Sequence, residues 1–178
     1  MMGTKKSILI FIRQFHPAYK NGGPLQSISN MLDLGWENHS FKVITQNERN
    51  YNNSSNKEED KSWKEIGHYR VYSSYSKFPS REKIREAKCD VYYLNSFFDL
   101  GYSVIIVLMH KLKLIPQRQI ILAPRGEFSA GALSLKRIKK KIFLSLVKFL
   151  RIYSSVIWHA STSLEEEEIK NDLVKILG

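Results

Sequence analysis

Six short apolar runs punctuate the 178-residue chain, and nearly all are followed by a helix signal or a stretch of helical spacing. The runs are Lys6–Ile12, Ser40–Thr45, His68–Ser74, Asp90–Leu94, Gln119–Ala123 and Ser155–Ala160. Several are continuous rather than alternating, the pattern of strands covered on both faces. Helices are predicted from the Gly22-Gly23-Pro24 signal to Gly35, from Pro79 to Cys89, and over Gly101–Leu114, Leu133–Tyr153 and Ser163–Leu177. Proline suits a first helical turn and glycine a helix end. Gln46–Lys64 is polar, without period, and reads as a long surface loop. Strands alternating with helices predict an α/β fold, a Rossmann-like doubly wound parallel sheet with its site at the carboxyl ends of the strands.

Length bounds the rest. One domain over residues 1–178 is long enough to bury a core, and 43% hydrophobic with 25% charged residues is ordinary globular composition. A single cysteine, Cys89, rules out an intramolecular disulfide; it reads as packed, and a reducing cytoplasm is the expected compartment. The run Ile8–Ile12 is too short for a signal-peptide core, and Val104–Met109, the longest apolar run, falls far short of a membrane span.

The loops after the strands carry the chemistry. Arg13–Gly23 (RQFHPAYKNGG) is neither a dinucleotide fingerprint nor a P-loop, because its glycines are adjacent and distant from the strand. Paired glycines before a helix suit either phosphate approach or a flexible helix start. In Asn95–Asp99 (NSFFD), Phe97 and Phe98 suit either ligand stacking or capping of the core. In Pro124–Gly131 (PRGEFSAG), Arg125 has the planar fork that recognises phosphate or carboxylate, Gly126 permits close approach, and Glu127 suits a pair with Arg125 or a sugar hydroxyl. Thr162–Glu168 (TSLEEEE) reads as a capped helix start rather than a metal site, since successive glutamates point in different directions.

The net charge is +11, and no acidic residue lies between Phe128 and Leu164. At helical spacing Arg137, Lys140, Lys141, Lys148 and Arg151 share one face. Ile138, Ile142, Leu146, Phe149, Leu150 and Tyr153 share the other, with Leu144 exposed among the bases. That basic face suits solvent or an anionic membrane leaflet, with the apolar face expected against the sheet. Nucleic acid is disfavoured, because no helix-turn-helix, zinc spacing or RNP-type aromatic motif is present.

Taken in order, these segments resemble the GT4 family of retaining GT-B glycosyltransferases. A strand followed by FHPAYKNGGPLQSISNMLDLGWENHSFKVIT resembles that family's start; ILAPRGEFSAGALSLKRIKKKIF resembles its "PRG/PHG…K…KK" segment; IWHASTSLEEEEI resembles its "HATS…E…I" segment. The resemblance spans nearly the whole chain. It implies the acceptor-side half of a two-domain fold, with no metal or other cofactor and a nucleotide sugar as donor substrate. The acceptor would be a saccharide, free or lipid-linked, in cell-surface polysaccharide synthesis. It further implies donor phosphates near Gly22 and Gly23, and a cleft lined by His16, Asn95, Phe97, Arg125, Gly126 and Glu127. His159 and Glu165 match the last motif, His159 as a structural residue. Histidines that many relatives carry at the cleft are replaced by Asn95 and Arg125, so no general base is assigned. The donor-binding domain with its glutamate pair is expected as a missing partner, supplied from outside this sequence. A non-catalytic subunit that binds an acceptor, a membrane or a partner chain is the alternative.

Overall fold

A computed structural model describes residues 5–15, 23–46, 62–129, 131–132 and 137–177. Among these residues seven strands form one sheet: β1 (Lys6–Phe11), β2 (His39–Gln46), β3 (Lys64–Ile66), β4 (Tyr69–Ser74), β5 (Val91–Leu94), β6 (Gln119–Leu122) and β7 (Val156–Trp158). Their spatial order is β3-β4-β2-β1-β5-β6-β7. All neighbours pair in parallel except β3, which runs antiparallel to β4. Without β3, the order is that of a doubly wound Rossmann-like sheet, reversing between β1 and β5. β3 lies at the end of the segment read as loop. It is the first arm of a tight hairpin, with Ile66 opposite Tyr69 and Gly67 between them at a φ of +58°, a conformation open to glycine.

Side-chain alternation along β1 splits the core in two. Ile10 and Ile12 join Val43 and the α1 (Gly23–Gly35) residues Ile28 and Leu32 on one face. Leu9 and Phe11 join Tyr92, Leu94 and Ile120 on the other. There they meet Ile84 of α2 (Arg81–Glu86), Ile106 and Val107 of α3 (Ile105–Lys111), Val147 of α4 (Arg137–Leu150) and Ile169 of α5 (Ser163–Leu177). Each fully buried aliphatic side chain contributes about 1.5–3 kcal/mol. A wide π-type turn, Leu100–Val104, leads into α3 and is capped by Asp99, whose carboxylate accepts from the Gly101 and Tyr102 N–H groups. Cys89 is buried, and burial pushes its thiol up to about 11, so it stays protonated near neutrality.

The structure corrects the orientation of α4. Its apolar face was expected against the sheet, yet Ile142, Leu146 and Phe149 are 66%, 54% and 84% exposed. Val147 is buried instead, with Phe143 and Leu144 partly buried beside it. Leu144, expected in the open, is therefore a packing residue. The cause is an aromatic cluster: Phe97 takes up Phe143 at 5.6 Å between ring centroids, rolling the helix until the border between its basic and apolar faces meets the core.

Candidate functional site at the carboxyl ends of the strands

Parallel pairing brings the loops after β1, β5, β6 and β7 to one edge of the sheet. At the crevice between β1 and β5, where ligands of open α/β sheets bind, Arg13 donates Nε to Asp99 Oδ2 at 2.8 Å and Nη2 to Oδ1 at 2.9 Å. This bidentate fork ties the β1 loop to the cap of the π-type turn. Gly101 in that turn has the Lys77 carbonyl where a Cβ would stand, so no larger residue fits without a backbone shift. The sequence reading passed over Arg13, though its place directly after the β1 run was a usable signal.

The turn after β6 is built around Arg125, which has a φ of +57°, followed by Gly126 at +75°. A non-glycine residue in this region is strained. Three hydrogen bonds hold its guanidinium: Nε to Asn95 Oδ1 at 2.9 Å, Nη1 to Ser161 Oγ at 2.7 Å, and Nη2 to the Tyr93 hydroxyl at 2.9 Å. The fork thus spans the loops after β5 and β7. All three partners are neutral, and among the described residues no carboxylate pairs with it. Among the described residues three of its five N–H groups are engaged, so two can meet a ligand oxygen.

The Tyr93 hydroxyl also lies 2.7 Å from His159 Nδ1. Its oxygen already accepts from Arg125, so a hydroxyl proton donated to Nδ1 satisfies both contacts and places the ring proton on Nε2. Burial and the Arg125 charge both lower the His159 pKa, which favours this neutral form. In this geometry His159 props the Tyr93 hydroxyl.

The two carboxylates are engaged with backbone. Glu127 does not pair with Arg125; it accepts from Ser96 Oγ at 2.7 Å and from the N–H groups of Phe97 and Phe98, fixing the β5 loop. Burial raises its pKa, and those donors only partly offset the effect. Glu165 is buried and accepts from Gly126 N at 2.8 Å and Ser161 N at 2.7 Å. Burial works against its ionised form, but the Ser161 and Gly126 donors leave its pKa below the usual range. Its own N–H donates to Thr162 Oγ1 at 3.1 Å. Half of a capping box is therefore present, and the carboxylate reaches past the cap to clamp the Arg125–Gly126 turn.

Of the sequence candidates, Asn95, Arg125, Gly126 and Glu127 come together here. Phe97 does not join them as a ligand contact. It has no exposed surface, and its ring lies 4.8 Å from Tyr153, 4.9 Å from Phe128 and 5.8 Å from Trp158. Phe97 is a core residue; Phe98 beside it is half-buried, with Lys140 Nζ 4.6 Å over its ring. Gly23 opens α1, and a Cβ there would meet nothing within 4 Å. His16 and Gly22 lie outside the described residues. Lys148 and Arg151 are exposed, while of Arg137 and Lys141 only the backbone, in α4, is described.

No protein-family model matches the chain, and no curated protein matches it either. The geometry alone gives a cationic fork at the ligand-binding edge, held by neutral hydroxyl and amide groups and braced by two carboxylates. Such a fork recognises phosphate or carboxylate oxygens.

Proposed function

We propose that this chain is the acceptor-side half of a retaining, GT4-like glycosyltransferase with a GT-B fold. Its reaction would move a sugar from a nucleotide-sugar donor to a saccharide or lipid-linked acceptor in cell-surface polysaccharide synthesis. The observation that supports this reading best is the joining of two resembling segments by contact. Arg125, in the PRG segment, reaches Ser161, in the segment beginning at His159, and Glu165 returns to Gly126. Both lie at the sheet edge where a doubly wound fold binds ligands.

In this reading the Arg125 fork takes an acceptor phosphate or the donor diphosphate facing it across the cleft. Tyr93, Asn95 and Ser161 orient the fork, and Glu127 and Glu165 are positioning residues. The N-terminus of α1, at Gly23, would approach the donor phosphates. A donor-binding domain completes the cleft, and the 178-residue chain is inactive without it.

Titration calorimetry on the 178-residue chain tests this. A diphosphate-linked saccharide should bind, and bind at least roughly tenfold more weakly once Arg125→Ala removes the fork. Nucleotide sugars should bind weakly or not at all. A nucleotide sugar held tightly by the chain alone would contradict the assignment of this half to the acceptor. Binding of a saccharide that ignores Arg125→Ala would favour the non-catalytic alternative.

A further inference from the structure

At the amino ends of β5 and β6, opposite the Arg125 edge, lies a recess of about 290 Å³. Its floor is apolar, with Ile84 of α2, Cys89 and Tyr92 all buried. Its rim is basic: Arg85 in the last turn of α2, Lys88 just past that helix and Arg118 ahead of β6 are exposed. Pro116 and Asp90 complete the lining, and the Asp90 carboxylate accepts from the Ser7 N–H at 2.8 Å.

Hydrogen bonds hold the walls in place. The Tyr92 hydroxyl donates to the Pro116 carbonyl at 3.0 Å, Arg85 Nη2 to the Leu114 carbonyl at 3.0 Å, and the Arg118 N–H to His110 Nε2 at 3.2 Å. Gln117 Nε2 reaches the carbonyls of His110 and Ile115, tying the same loop to the end of α3. Lys88 stands at a φ of +44°, in the left-handed position after a helix that glycine usually takes. A lysine there accepts backbone strain that glycine would avoid, and it sets a cation on the rim.

Ligand sites are largely preformed hollows, mostly apolar with a few polar groups, from about 300 Å³ upward. This recess sits at the small end of that range, which suits one compact ring. Three cations against one carboxylate select an anion. Because they come from two separate segments, a phosphate with several oxygens engages them better than a carboxylate does. From the braced walls, apolar floor and basic rim we infer that the recess binds a small phosphomonoester. Its phosphate meets Arg85, Lys88 and Arg118, and its ring lies over Ile84, Cys89 and Tyr92. Cys89 takes no chemical part, since burial keeps its thiol protonated near neutrality.

This site stands apart from the glycosyltransferase reading, and its test contains neither acceptor nor nucleotide sugar. Backbone amides of the isotopically labelled 178-residue chain are followed as phenyl phosphate, inorganic phosphate and phenol are added separately. Phenyl phosphate should shift Lys88, Cys89, Asp90 and Arg118 saturably; inorganic phosphate should do so more weakly, and phenol should not. Lys88→Gly removes a charge while suiting the backbone, and Arg118→Ala keeps the N–H that bonds to His110. Both variants should therefore keep the denaturant midpoint, and each should weaken phenyl phosphate roughly tenfold. Arg125→Ala should leave these shifts unchanged. Absence of saturable shifts at these residues, or binding that neither rim variant weakens, would overturn the assignment. So would shifts that Arg125→Ala removes, or inorganic phosphate or phenol binding as tightly as phenyl phosphate.

Discussion

Arg125 holds a backbone angle that arginine rarely adopts, and its side chain bonds to two other loops at once. Its removal should cost more than a surface arginine does. Asn95, 7% exposed, would lose the donor to its amide oxygen, and each lost hydrogen bond is worth about 0.5–1.5 kcal/mol. Arg125→Ala should therefore lower stability by about 1–2 kcal/mol, read as a fall in the denaturant midpoint at unchanged slope. Phe97→Ala tests the placement of that ring in the core. A fully buried ring among five aromatic neighbours should cost about 3–5 kcal/mol on truncation, while a ligand-stacking residue at the surface would cost little. Residue identity was visible in NSFFD and PRGEF; which side chain met which was not. Glu127 lies two places from Arg125, yet it bonds to a loop some thirty positions away.

At the scale of elements, two caps govern the response to acid. Burial disfavours the Asp99 carboxylate, but the Arg13 guanidinium and the Tyr102 and Gly101 N–H groups hold its pKa below the usual range. Glu165 is depressed in the same sense by the Ser161 and Gly126 donors. A depressed carboxyl contributes stability that is complete above its unfolded pKa and is lost as pH falls through its folded one. Glu127 has the opposite sign: its raised pKa makes stability fall as pH rises through the folded value. Denaturant unfolding from neutral to acid pH should therefore show stability lost as pH falls from the ordinary carboxylate range through the depressed folded pKa values of Asp99 and Glu165. Asp99→Asn should be weaker at neutrality and show a shallower acid limb. An unchanged acid limb would contradict the role given to the Arg13–Asp99 fork. The elements themselves were legible: six predicted strands and five predicted helices all occur. β3 was missed because three residues carry too little period, although Gly67 before Tyr69 marked a hairpin. The roll of α4 was hidden for a different reason. Periodicity gives the mean direction of apolar side chains, whereas the contact made by Phe143 with the Phe97 cluster decides which of them is buried.

Across the whole molecule, the strand order places the loops after β1, β5, β6 and β7 on one edge, and α4 turns both basic and apolar side chains to solvent. Alternation of apolar runs made the doubly wound sheet readable without structure, and the loops it would gather followed from that order. The network joining Tyr93, Asn95, Arg125 and Ser161 depends on contacts thirty or more positions apart, which no local pattern encodes. We propose that this edge binds the phosphate of a saccharide acceptor through Arg125. The most direct measurement is an NMR titration of the isotopically labelled chain with a diphosphate-linked saccharide, following backbone amides and the Arg125 side-chain Nε–H. The expected result is saturable shifts at Asn95, Arg125, Gly126 and Ser161, lost in Arg125→Ala. Shifts confined to residues away from the carboxyl ends of the strands, or none at saturating ligand, would contradict it.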